Sequence, residues 1–101
     1  MLRLKNCEFS PGATEDVQQL TTLQSLYLQD SNLDDELIVP LCKMPNLEKM
    51  NISGTQVSDV GLLRLAVLPK LKDLKCGAVP GITVAGKDHF RKVRPDVKLI
   101  D

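Results

Sequence analysis

The sequence repeats itself with a step of 24 residues. Three leucines open one unit, and apolar residues occupy the same places in the units that follow. The matching sets are Leu23, Leu26 and Leu28, then Leu47, Met50 and Ile52, then Leu71, Leu74 and Cys76, with Leu2 and Leu4 one step earlier. A small unit cannot bury its apolar side alone, so neighbouring units have to stack around one core. The repeat therefore restricts the chain to an array of similar units.

Within each unit, the apolar spacing changes from that of a strand to that of a helix. Met50 and Ile52 are two positions apart, which places both on one strand face, with Asn51 pointing away. From Gly61 to Leu68 the apolar residues step by three and four, as in a helix. Each unit is thus predicted to form a short strand, a turn and a short helix, with Ile52 completely buried.

The expected helix starts recur with the same 24-residue step. In the fourth unit, one inserted residue delays the start by one position. These starts fall on residues that are good N-caps, namely Ser10, Asp34, Ser58 and Thr83. Each can accept a hydrogen bond from an exposed N–H of a first helical turn. Pro11 falls at the first helical position, where its missing N–H costs nothing. Pro40 lies inside the second segment, where a short or irregular helical turn is expected.

The stretches "LQSLYLQDSNL" and "LEKMNISGTQV" follow the pattern L-x-x-L-x-L-x-x-[S/T/C]-x-L, which resembles the leucine-rich repeat family over almost the whole chain. The phrase "TQVSDVGLLRL" is similar to a subtype, T-x-[VI]-[ST]-D-x-G-L, of bacterial repeat proteins and, in a related form, of ubiquitin-ligase substrate receptors. The resemblance implies an α/β right-handed solenoid with a parallel inner sheet and short outer helices. It implies one domain, residues 1–101, with about four repeats, a truncated first repeat and a C-terminal capping repeat at about 77–101.

Between the core positions, the strands present side chains to the face that the resemblance implies is concave. Three columns are predicted there: Ser25, Lys49 and Asp73; Arg3, Tyr27, Asn51 and Lys75; Lys5, Gln29, Ser53 and Gly77. None of these positions has a predicted packing role, and a tyrosine beside Arg, Lys and Asn is a reasonable interface centre. This face most often contacts other proteins in the family. The expected function is therefore non-catalytic binding of another protein.

No catalytic, cofactor or metal-binding pattern is evident, so no enzyme, cofactor or metal is expected. His89 is expected to be a solvated residue of the last helix. Cys7, Cys42 and Cys76 lack metal-ligand spacing, and Cys7 and Cys76 would lie three strand spacings apart, roughly 14 Å, too far for a disulfide. Buried structural thiols are expected, with Cys7 at a position whose small polar side chain ties the turn to its neighbour.

The charge distribution leaves two alternative functions open. Residues 6–42 contain seven acidic residues and no Lys or Arg, whereas "KDHFRKVRPDVK" contains five cations. The basic C-terminal helix could bind an anionic surface or, less readily, nucleic acid, because aromatic interleaving and groove-reading motifs are missing. Alternatively, "ITVAGKDHFRKVRPDVKLID" is the cap of a longer array, which makes the chain a structural segment of a larger repeat protein.

The edge around Leu2 and Leu4 has no cap in the sequence, which favours either a fragment of a longer chain or a homo-oligomer in which a second copy covers this edge. The sequence has no long apolar run and no signal-peptide pattern. A cytoplasmic location without membrane binding is therefore expected.

Overall fold

The computed structural model describes residues 2–3, 8–10 and 12–100, and these form an α/β fold around one parallel sheet. The strands, in chain order and in sheet order, are β1 (Leu2–Arg3), β2 (Ser25–Tyr27), β3 (Lys49–Asn51), β4 (Asp73–Lys75) and β5 (Lys98–Ile100). The helices are α1 (Ala13–Gln18), α2 (Ile38–Leu41), α3 (Asp59–Arg64) and α4 (Val84–Val93), and a 3₁₀ turn (Leu65–Val67) extends α3. Each helix lies between two consecutive strands.

Strand pairing follows the repeat of the sequence. Met50 pairs with Leu26 on one side and with Leu74 on the other, both 24 residues away. Leu74 pairs in turn with Leu99, one residue further along than the repeat step, which matches the inserted residue expected in the fourth unit. The strand β5 was not predicted, because "VKLID" was assigned to a cap.

The core is aliphatic and lies between the sheet and the helices. The repeating apolar positions from Leu26 to Cys76 are buried, and Ile52 is 0% exposed, which confirms its predicted complete burial. Phe90 of α4 is also fully buried. Successive helices contact one another, as successive strands do, so the described residues form a sheet layer and a helix layer.

Two of the predicted N-caps are confirmed. The Ser58 hydroxyl accepts a hydrogen bond from the Val60 N–H (3.3 Å), and the Thr83 hydroxyl accepts one from the Gly86 N–H (3.1 Å). Both residues have extended backbone conformations, as N-cap residues do. The helices α3 and α4 therefore begin where the sequence predicts.

The other two helix starts differ from the prediction. Asp34 accepts hydrogen bonds from the N–H groups of the next turn, but α2 begins only at Ile38. The prediction for Ser10 is wrong, since the N-cap of α1 is Gly12, at φ 86° and without a side-chain cap. This left-handed conformation suits a residue without a Cβ, and it starts the helix later than expected. Pro11 lies outside the described residues.

The helix α2 is four residues long and contains Pro40, which confirms the short segment expected there. Proline has no N–H to donate and its ring disfavours an extended helix on its N-terminal side. The second unit is therefore covered by a single helical turn.

Two aspartates join consecutive units. Each one accepts hydrogen bonds from the N-cap residue of the next unit. Asp35 accepts hydrogen bonds from the Ser58 N–H (2.8 Å) and from the Ser58 hydroxyl. Asp59 does the same for Thr83, at 2.8 Å and 2.7 Å. A Cβ added to Gly86 would lie 2.1 Å from Asp59 Oδ1, so the close approach of the carboxylate requires glycine. The phrase S-D-V-G at residues 58–61 thus encodes a junction between repeats, since Ser58 donates to the aspartate of the preceding unit and Asp59 accepts from the cap of the next.

The turns after β2 and β3 are each closed within their own unit. The hydroxyl of Ser31 donates to the Leu28 carbonyl (2.7 Å), and that of Thr55 donates to the Ile52 carbonyl (2.6 Å). The expectation that this position ties the turn to a neighbouring unit is therefore wrong for Ser31 and Thr55. Cys7, for which the role was predicted, lies outside the described residues.

Candidate functional site

The strand register aligns side chains into columns across the sheet. One column is Ser25, Lys49, Asp73 and Lys98, and the next is Arg3, Tyr27, Asn51, Lys75 and Ile100. We call these nine residues the open sheet face, since they alternate with core residues such as Leu26 and Leu74. Lys98 and Ile100 extend the two predicted columns, because β5 was not anticipated.

The third predicted column continues past the strand ends. The Asp30 N–H donates to the Ser53 carbonyl (2.9 Å), and the Gly54 N–H donates to the Gly77 carbonyl (3.1 Å), so the units stay aligned there. Gln29 is half-buried, and its Oε1 is buried without a hydrogen-bond partner among the described residues. Lys5, the first member of this column, lies outside the described residues.

The open sheet face is rich in unpaired cations. Lys49, Lys75 and Lys98 are exposed, and none forms an ion pair within the described part of the chain. Asp73 is the single acidic residue of this face and stands between Lys49 and Lys98 in its column. A cationic surface with one acidic centre therefore lies on three neighbouring strands.

These lysines surround a shallow depression of about 220 Å³. Its lining includes Tyr27 on one side and Ile100 on the other, with Asp73 and the three lysines between them. Tyr27 is half-buried. The Cζ atom of Arg3 lies over the Tyr27 ring, 5.2 Å from the ring centroid, which is a cation–π geometry. The depression thus combines an aromatic wall, an apolar wall and charged side chains.

Asn51 has a structural role that the sequence did not suggest. It is only 7% exposed, and its Oδ1 accepts a hydrogen bond from the Ser53 N–H (3.0 Å). The expectation that Asn51 carries no packing role is therefore wrong, because its side chain is buried and accepts a main-chain hydrogen bond. Asn51 shapes the open sheet face and offers little of its own surface to a partner.

The helix layer carries apolar surface that sequence reasoning missed. Its exposed large apolar side chains, which we call the outer apolar residues, are Val39, Val60, Leu63, Val67, Val84 and Val93. None of them belongs to the spacing of three and four that predicts the buried helix face. The sequence signal for this surface was therefore the apolar residues of the helical segments that had no assigned core position. Scattered exposed apolar residues are common on proteins.

The cations of the C-terminal segment do not form one patch. Arg94 donates to the carbonyls of Ala66 and Leu68, both at 2.7 Å, and forms an ion pair with Asp96 at 3.0 Å. It therefore anchors the last helix to the preceding unit. Arg91 is paired with Asp88, and Lys98 belongs to the open sheet face.

The histidine and the two described thiols differ in exposure. His89 is exposed on α4, as expected. Cys76 is buried and Cys42 is half-buried, and neither takes part in a disulfide bond within the described residues. Burial raises the pKa of the Cys42 thiol to about 11, against a smaller opposing effect of Arg64, so this thiol is protonated at neutral pH.

No group of three His, Cys, Asp or Glu side chains within residues 2–3, 8–10 and 12–100 is placed to hold a metal ion. In the same residues, every helix is too short or too polar to cross a lipid bilayer. No protein-family model matches the sequence, and no curated protein is significantly similar to it.

Proposed function

We propose that this chain is a non-catalytic protein–protein interaction module, built as a right-handed leucine-rich-repeat solenoid, that binds its partner through the open sheet face. The solenoid is supported by five parallel strands in chain order whose register follows the sequence repeat. The observation that carries the binding role is the alignment of exposed cations and Tyr27 in columns across those strands. The proposal keeps the cytoplasmic location expected from the sequence.

The open sheet face is suited to binding because its side chains are held on a rigid support. The strands that carry them are hydrogen-bonded to neighbours, and the core side chains between them are fully buried. A partner would therefore meet side chains that lose little backbone freedom on binding, which lowers the entropic cost of association. Tyr27 is the aromatic residue of this face and the best anchor that it offers.

A structural role within a larger repeat assembly is a second candidate. It is favoured by the outer apolar residues that lie together, since Val60 and Leu63 line one depression and Val39 and Val67 line another. Contiguous exposed apolar surface marks contact sites. By contrast, binding of anionic surfaces through the C-terminal helix has lost support. Arg94 is engaged with backbone carbonyls, and Lys98 lies on the open sheet face and not on the helix layer.

Site-specific photo-crosslinking in cells tests the proposal. A photo-reactive amino acid replaces Tyr27 in one variant and Val84, an exposed residue of α4, in a matched control. We expect a defined crosslinked protein from position 27 and little from position 84. Crosslinks that form only from position 84 would transfer the binding role to the helix layer.

A further inference from the structure

We propose that the partner of the open sheet face is an acidic, extended segment of another protein, bound across the strands at the lysine-lined depression. This inference rests on the proposed function and adds the chemistry of the partner. Its basis is charge complementarity, since Lys49, Lys75 and Lys98 have no ion-pair partner within the described residues.

The spacing of the lysines selects the shape of the segment. Lys49 and Lys98 lie in one column with two strand spacings between them, which is about 10 Å. In a polyproline II segment, residues i and i+3 lie on the same side, about 9 Å apart. Two carboxylates at that spacing can each meet one lysine, while Lys75 lies diagonally between them on the neighbouring column.

Asp73 distinguishes an acidic peptide from a nucleic acid. Its carboxylate stands between Lys49 and Lys98, where it would repel a continuous phosphate backbone. A peptide can instead place a backbone N–H or a polar side chain opposite it. The face also offers one aromatic ring, Tyr27, and lacks the series of aromatic platforms on which successive bases stack.

The paired cation Lys72 provides an internal contrast. The Lys72 Nζ atom lies 3.0 Å from Glu48 Oε1. The charge of Lys72 is therefore already compensated within the chain. Lys49, Lys75 and Lys98 form no such ion pair within the described residues, so a partner can pair with them. The chain therefore presents an uncompensated cationic patch at one definite place on the sheet.

Fluorescence anisotropy with labelled peptides tests the inference on the full chain. The probe is a short proline-rich peptide carrying Glu at positions i and i+3, and the control has Gln at both. We expect the Glu peptide to bind at least about tenfold more tightly at low salt, and its affinity to fall as salt rises. The variant with Lys49→Glu and Lys98→Glu should lose this binding and prefer a peptide carrying Lys at the same two positions.

The matched control variant carries Arg91→Glu and Lys92→Glu on α4 and should bind the Glu peptide as the wild type does. Equal affinity for the Glu and Gln peptides would overturn the acidic segment. If position 27 still formed crosslinks in that case, the proposed protein-binding function would stand, and only the acidic segment would be rejected as the partner. Tighter binding of a labelled oligothymidylate than of the Glu peptide, or binding of neither peptide, would also overturn the inference.

Discussion

The sheet layer and the helix layer are built from the same repeats but differ in regularity. The strands β2, β3 and β4 have three residues each and stay in register, whereas the helices α1 to α4 have six, four, six and ten residues. Neighbouring strands share main-chain hydrogen bonds, which fix length and register together. Neighbouring helices meet through side chains, so each can begin and end according to its own caps and prolines. The sheet is thus constant from repeat to repeat, and the helix layer accommodates the variation between repeats.

The largest expected effect is loss of an apolar side chain from the sheet layer. Ile52→Ala should lower the free energy of unfolding by about 2–5 kcal/mol, because it leaves a cavity at a fully buried position. Val60→Ala in the helix layer should change it by about 0.5 kcal/mol or less, since Val60 is 57% exposed. Urea unfolding of both variants checks the contrast, and equal losses would show that the two layers do not differ in this way.

Removal of a helix cap should have an intermediate effect. Ser58→Ala removes the bond to the Val60 N–H and the donor to Asp35, and should cost about 0.5–2 kcal/mol. Ser10→Ala is the matched control, since the N-cap of α1 is Gly12 and Ser10 is exposed. Thermal unfolding should separate the two. Similar losses from both would mean that Ser10 is a cap after all.

The junction between repeats gives a prediction of unusual sign. Gly→Ala within a helix normally stabilises by about 0.5–1 kcal/mol, but Gly86→Ala should destabilise by about 1 kcal/mol. The added Cβ would displace the Asp59 carboxylate from Thr83. In an Asp59→Ala background, the same substitution should become stabilising. A double-mutant cycle measures this coupling, and additive effects would rule out the contact as its cause.

The left-handed turn residues offer a smaller, stabilising change. Asp30, Gly54 and Ala78 occupy equivalent positions with φ of 57°, 72° and 55°. Alanine is strained in this conformation, so Ala78→Gly should stabilise by about 0.5–1 kcal/mol after the greater freedom of glycine in the unfolded chain is included. Chemical denaturation of the variant checks this. A lower midpoint than that of the wild type would contradict it.

The smallest expected effect is a dependence on pH at the junction. The hydroxyl of Thr83, and then its backbone N–H, lower the pKa of Asp59 below its ordinary value of 3.8. Because the folded pKa is the lower one, this stabilisation is present above pH 3.8 and is lost as the pH falls through the folded pKa. Asp59→Asn should therefore flatten the loss of stability that wild type shows on acidification, measured by denaturation at a series of pH values.

The sequence predicted the sheet better than the helix layer, for a physical reason. The alternation around Met50 and Ile52 and the constant repeat step determine both face and register, and both are observed. The strand β5 follows the same pattern with the inserted residue, so continuing the step from Leu74 to Leu99 would have revealed it. Helix starts depend on local backbone conformations, such as that of Gly12, which apolar spacing does not report.

The candidate site was predictable only in part. The columns follow from the repeat, but the burial of Asn51 and its hydrogen bond from the Ser53 N–H are not specified by the strand alternation, which turns this position away from the core. The role of Arg94 depends on the position of the Ala66 and Leu68 carbonyls around the end of the preceding 3₁₀ turn, which no residue pattern specifies. The sequence placed Arg94 in a basic cluster, whereas its guanidinium is used within the fold.

The most direct test of the central claim is amide chemical-shift mapping of the isotope-labelled chain during titration with the Glu peptide. We expect perturbed amides to concentrate at residues 25–29, 49–53, 73–77 and 98–100, and the amides of α4 to stay unchanged. Perturbations centred on residues 60–67 and 84–93 would contradict the account, because they would place the peptide on the helix layer.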